Sequence, residues 1–368
     1  MNLLHTRRFL HQIPETGLET KKTRLFLEEL LSRTGARILH PLPEALALFY
    51  DAGQEETICL RSDMDGLPGR ETTGLPFASA NGRQHACGHD GHMTMLAGAA
   101  IWLGQALREG LPLSRNILIL FQPGEENPGG AEPILASGLF ENLNVREIYG
   151  MHIFPGLPAS QIVTRPGPMM SGACNFVVEA RGLSSHQAMP DKGINALHAL
   201  AAFIAETREE EAAALADSPE MHILGYGRLD CGQAPNIIPD YGELEGTIRY
   251  YDPAVFETIW SILTRKAAEL EERSGARLSL RVHQHYPPVI NDEALSASVP
   301  NAGRLEEPVL IAEDFSFYQR QVPGVFFFIG SGRDVPLHNS AFDFDESLLE
   351  AGQNFWIERI LAYRTHPD

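Results

Sequence analysis

Four cysteines in 368 residues, Cys59, Cys87, Cys174 and Cys231, are too few and too scattered for a disulfide framework. Their scarcity predicts a reduced, cytoplasmic protein. No apolar run approaches the roughly 20 residues a bilayer span requires, and the opening stretch MNLLHTRRFLHQ reads without a signal-peptide apolar region or small-residue cleavage site. Positive charge is scarce, with Lys+Arg 29 against Asp+Glu 48 and a net charge of −19. So acidic a surface repels phosphate backbones and anionic lipid, which argues against nucleic acid or a membrane as the main partner. Internal repeats, heptads and low-complexity tracts are also missing. What remains is an ordinary globular composition, 43% apolar and 21% charged, long enough for one large or two medium domains.

Segments of helical period alternate with short apolar runs, the pattern of an α/β fold. A first amphipathic helix places Leu3, Phe9 and Leu10 on one side, and a second, carrying Leu27, Leu30 and Leu31, ends near Gly35. TICLR, ILILF, EIYGM and GVFFFIGSG are mostly apolar rather than alternating, as strands buried on both faces of a mostly parallel sheet are. From about Gly167 to Val282 the texture changes. FVVEARG and ELEGTIRYY alternate like antiparallel strands with one solvated face, and they come with two long helical patterns, Asn195–Leu215 and Ala254–Arg273. The expectation is a discontinuous catalytic domain, residues 1–166 and 283–368, built on a mixed, mostly parallel sheet. An α+β lid domain, residues 167–282, with two helices on an antiparallel sheet, would be inserted into it.

In parallel sheets the working residues collect beyond the carboxyl ends of the strands. Here each apolar run is followed within a few residues by Asp, Glu or His: Asp63 and Asp65, Glu125 and Glu126, His152, and His338. The densest cluster is HACGHDGH, where Cys87 and His89 can both reach one metal ion from an extended, glycine-relieved backbone. A helix is expected to follow over Met93–Leu107, with Asp90 at its N-cap. Alone, this cluster reads equally well as a polar loop. Adjacent carboxylates such as Glu125 and Glu126 point in different directions, so one can ligate a metal while the other accepts a proton from water. Five N, S and O donors mapping to one sheet edge exceed a closed structural zinc site and suit an open or two-metal centre. Asp63 and Asp65 either orient a histidine ligand or cap the SDMDGLP turn. The competing possibility, Cys87 as a thiol nucleophile, explains neither the Glu pair nor the two distant histidines.

With RRFLHQIPETGLE, LRSDMDGLP, HACGHDGH, FQPGEE, GMHIFPGLP, SSHQAMPDKGINAL, APNIIPDYGELEGTIR and AEDFSFY in register along the chain, the sequence resembles the M20 metallopeptidase family. The match is to its amidohydrolase branch, subfamily D, which holds N-acyl-amino-acid deacylases, hippurate hydrolases and N-acetyldiaminopimelate deacetylases. The resemblance implies Cys87, His89, Glu126, His152 and His338 as ligands of one or two divalent ions (zinc, manganese, nickel or cobalt) and Glu125 as general base. It implies that Asp65 orients the centre, with Asp63 where other branches carry a ligand. It further implies that a lid histidine, His186, stabilises the oxyanion, that Asn236 and Arg249 hold the substrate carboxylate, and that the lid forms a homodimer. The expected reaction is hydrolysis of an N-acyl amino acid, N-acetyl-diaminopimelate being one candidate. A dipeptidase of the same family and a catalytically silent relative are the alternatives. Three departures stand out. Gly124 replaces the usual Ala and should loosen the turn before the Glu pair. GLSSH replaces a Gly-rich lid motif, and the segment Asp292–Glu313 is short.

Overall fold

The structure, a computed structural model, describes residues 1–365. The chain divides into two compact units: Met1–Met169 with Ile290–Glu307 and Asp314–Asp368, and Met170–Val289 with Pro308–Glu313.

The first unit is built on an eight-stranded sheet. Its order is Arg37–Leu39, Leu46–Tyr50, Asn116–Gln122, Thr57–Asp63, Val145–Phe154, Gly324–Gly330, Ile162–Thr164 and Gly303–Arg304. The four strands Asn116–Gln122, Thr57–Asp63, Val145–Phe154 and Gly324–Gly330 run parallel. They are the apolar runs of the sequence, and three of them are buried at every position. Antiparallel strands flank them, so the sheet is mixed and mostly parallel, as its residue texture predicted. The register sets Asp63 beside Gln122 and His152 beside Phe328, so the strand ends that carry polar groups meet along one edge.

The His89–Arg108 helix packs into the core with Leu96, Ala100 and Leu103 fully buried. It begins at His89, four residues before the expected start. Gly91 lets its first turn sit against the sheet, for a Cβ there would lie 2.6 Å from Ile153 Cδ1 and 2.7 Å from Phe344 Cζ. Phe9, expected on the buried side of the first helix with Leu10, is instead 38% exposed and stacks on Phe26 of the Lys21–Leu31 helix, ring centroids 4.3 Å apart.

The second unit is a four-stranded antiparallel sheet in the order Ile223–Cys231, Tyr241–Tyr250, Gly172–Arg181 and Arg277–Tyr286. Leu200 and Phe203 of the Ala196–Ala214 helix share one core with Ile259 and Leu263 of the Pro253–Ser274 helix and with Phe176, Val178, Leu244 and Ile248 of the sheet. Gly275, left-handed at φ 74°, closes the longer helix. Among the described residues no helix is long and apolar enough to cross a membrane.

Candidate metal centre

Four elements of the first unit converge at the sheet edge. Cys87 Sγ lies 3.3 Å from His152 Nε2 and 3.4 Å from His338 Nε2. His338 Nε2 is 3.0 Å from Glu126 Oε1, and donor atoms of Cys87, His89 and Glu126 all lie within 4.8 Å of one another. His152 sits within its strand rather than after it. His338 holds a left-handed backbone, φ 64°, fixed by its N–H donating to Ala86 O at 2.8 Å. Thr72 ties the same loop down through its N–H to Ser340 O, 2.7 Å, and an Oγ–Oγ contact of 2.8 Å.

Backbone acceptors set the histidine tautomers. His89 Nδ1–H donates to Asp65 O at 2.8 Å and His152 Nδ1–H to Ile153 O at 2.6 Å. Each Nε2 lone pair is thereby turned towards the cluster, the arrangement metal-ligating imidazoles use. His89 Nε2 is buried with no hydrogen-bond partner. Buried polar atoms rarely stay unmatched, and the Cys87 thiol, the imidazoles and the Glu126 carboxylate gathered here form a set that fits a divalent cation. His92 behaves differently, although it too lies among these groups with Asp63, His89 and His152. Its Nε2 accepts the Ile153 N–H at 2.8 Å and its Nδ1–H donates to Asp63 at 2.7 Å, so it has no lone pair free for a ligand.

Burial, together with the charges of Glu126 and Glu125, pushes the Cys87 thiol well above its ordinary pKa. A nucleophilic cysteine needs electropositive surroundings, so the setting opposes the thiol-nucleophile possibility. Burial and the nearby Glu126 charge also hold the Asp65 carboxyl up. Asp65 does not cap its own turn. Its two oxygens accept the backbone N–H of Glu125 at 2.9 Å and Glu126 at 3.2 Å. Asp63 pairs with His92 and, at 3.2 Å, with Arg61 Nη1. Gly124, expected to loosen the turn, sits at φ 77°, where glycine is unstrained, and its carbonyl accepts Gly129 N–H at 2.9 Å to close it.

Asp90 is not the N-cap, a position held by Gly88. It turns away to accept from Arg7 Nε at 2.9 Å and His11 Nδ1 at 2.8 Å, while His11 Nε2 meets Glu71 at 3.0 Å. Burial lowers the His11 pKa, but Asp90 and Glu71 outweigh it and raise the value to about 9. A raised folded-state pKa stabilises the fold fully below the unfolded value near 6.5, and the gain disappears as pH climbs through about 9. Urea unfolding is therefore expected to show stability falling by about 3 kcal/mol over that window. In His11→Asn the dependence should flatten; an unchanged slope would contradict the pairing.

The remaining sequence-predicted residues belong to the second unit. His186 is exposed and pairs with Ile237 across two short strands, and Gln187 N–H donates to Asn236 O at 3.0 Å, so His186 and Asn236 are neighbours there. Arg249 is half-buried in the four-stranded sheet opposite Ala173 and Ile223, with burial lowering its pKa.

The sequence profile of the Peptidase family M20/M25/M40 matches residues 59–362. N-acetyldiaminopimelate deacetylase of Lactococcus lactis subsp. cremoris is 33% identical over 364 residues, covering 95% of both chains. N-acetyl-L-cysteine deacetylase of Bacillus subtilis is 31% identical, covering 97% of this chain and 86% of that protein. The crystal structure of Bacillus subtilis YXEP, a dinuclear metal-binding peptidase from the M20 family, superposes with TM-score 0.82 at 28% identity, covering 98% of this chain and 97% of that one.

Proposed function

Because the chain belongs to peptidase family M20/M25/M40, we propose that it is a metal-dependent amidohydrolase of N-acyl amino acids, releasing a carboxylate and the free amino acid. The observation that carries this reading is Glu125. It is a buried carboxylate one residue from the donor Glu126, with both backbones held by Asp65. Cys87, His89, Glu126, His152 and His338 would hold one or two divalent ions; the mixed donor set suits zinc, and manganese, nickel and cobalt are the alternatives. When bound, such an ion supplies Lewis-acid polarisation of the acyl carbonyl and acidifies water.

Glu125 takes the proton from the attacking water and delivers it to the leaving amine nitrogen. Asp65 holds Glu125 and Glu126 at their backbones and steers His89 through its own carbonyl. His186 is assigned to the carbonyl oxygen as negative charge develops there. Asn236 and Arg249 are assigned to the α-carboxylate, an anion that an acidic protein must bind through a specific cation. A homodimer formed through the second unit and a cytoplasmic location complete the proposal.

The experiment is amine release from a panel of N-acetyl and N-benzoyl amino acids, with N-acetyl-diaminopimelate and N-acetylcysteine among them, set beside dipeptides. Cleavage of acyl amino acids in preference to dipeptides is expected. Preference for dipeptides would replace the reading with a dipeptidase, and cleavage of neither would leave a silent relative.

A further inference from the structure

The loop of residues 123–130, which carries Glu125 and Glu126, leaves the Asn116–Gln122 strand and ends at the Ala131–Ala136 helix. Asp65 grips its middle. A second buried aspartate, Asp314, grips both ends. Asp314 Oδ2 accepts the backbone N–H of Gly130 at 2.9 Å and of Ala131 at 3.0 Å, and the Gln122 side-chain amide at 2.7 Å. Its Oδ1 takes the same amide at 2.9 Å and Arg61 Nη2 at 2.8 Å. Arg61 also donates to Gln122 Oε1, 2.9 Å, and to Asp63, 3.2 Å, while the Tyr318 hydroxyl donates to Gln122 Oε1 at 2.9 Å. Asp63, Gln122 and Asp314 are fully buried and Arg61 is 1% exposed. The loop ends are drawn so close that a Cβ on Gly130 would lie 1.8 Å from Pro123 O.

Stability alone does not account for this arrangement. A buried ion pair is often no better for stability than packed apolar side chains of the same volume. Apolar side chains, however, could not accept the N–H groups at the loop's exit and the strand-end amide at its entrance together. We propose that Asp314, oriented by Arg61, is a positioning residue for the Glu125–Glu126 loop. By fixing the separation of the loop ends it sets where both carboxylates stand, Glu125 for proton transfer and Glu126 for the cation. The inference rests on the roles given to that pair above.

The test is Asp314→Asn in the full chain, which keeps the shape but turns an amide NH₂ towards N–H donors. Four readouts are compared with wild type: thermal melting, metal affinity by chelator competition, the visible spectrum of the cobalt-substituted protein, and kcat and KM separately. A misplacement of catalytic groups by about 1 Å can cost about 10²-fold in rate. The expected result is a folded protein with kcat down by about that factor, KM within about threefold, weaker cobalt binding and an altered spectrum. Should the single variant not fold because Arg61 loses Asp314, one of its two carboxylate partners, Arg61→Met combined with Asp314→Asn removes the cation as well and is expected to show the same losses. A folded variant with wild-type kcat and spectrum overturns the proposal. Insolubility of both variants also overturns it, since the pair would then serve folding. If wild type cleaves no acyl amino acid, the functional reading fails, and the spectrum and affinity alone decide the positioning role.

Discussion

Glu125→Gln is expected to lower kcat for the best N-acyl amino acid by about 10²–10⁴-fold, the range a positioned general acid–base supplies. The substitution keeps the size of the side chain and removes its ability to take a proton. Glu125 is 6% exposed, and its backbone N–H is fixed by Asp65 rather than by its own carboxylate, so the loop should keep its shape. Glu126 and the other donors are untouched, so bound metal measured by atomic emission should match wild type. That combination separates loss of the base from loss of the centre. A variant retaining more than about a tenth of wild-type kcat would remove Glu125 from proton transfer.

Arg7→Met is expected to destabilise the first unit by about 3–5 kcal/mol, the usual cost of leaving buried charges without their partner. Arg7 is 1% exposed, and its guanidinium meets Asp90 at 2.9 Å, Asp343 at 2.8 Å and Glu346 at 3.1 Å. It also lies 4.3 Å from the Phe344 ring centroid, a contact a methionine replaces only in part. Surface pairs such as Arg265 with Glu269 carry no comparable penalty, because water replaces the lost partner. The check is urea denaturation of Arg7→Met beside Arg265→Met. A loss below about 1 kcal/mol for Arg7→Met would show that Asp90 and Asp343 are solvated or protonated without it. Asp90 adjoins His89 on the same helix turn, so weaker metal binding is expected alongside.

The parallel strands were legible because burial on both faces leaves unbroken apolar runs, and Asp63, Glu125 and Glu126 stand at or just past the carboxyl ends of two of them, whereas His152 lies inside its strand. The alternating strands of the second unit were legible for the complementary reason, one face being solvated. Other features follow from partners distant in sequence. Nothing near Arg61 announces Asp314, 253 residues away, although a lone Arg and a lone Gln closing the apolar runs TICLR and ILILFQ were a usable signal. Asp90 fits the local pattern of an N-cap, yet its Oδ2 is taken by Arg7 and His11 rather than by helix N–H groups. The helix starts at His89 rather than Met93 because burial against Ile153 and Phe344 overrides the weak helix propensity of a segment rich in His and Gly. The left-handed backbone of His338 is set by Ala86 and the Thr72–Ser340 contact, and no local residue type encodes it.

The most direct measurement is amine release by wild-type protein that has been stripped with a chelator and then reloaded with manganese or zinc. A metal-dependent reaction predicts no release from the stripped protein and restored cleavage of N-acyl amino acids on reloading. Full activity in the stripped protein, abolished by alkylation of Cys87, would contradict it and return Cys87 to the role of nucleophile.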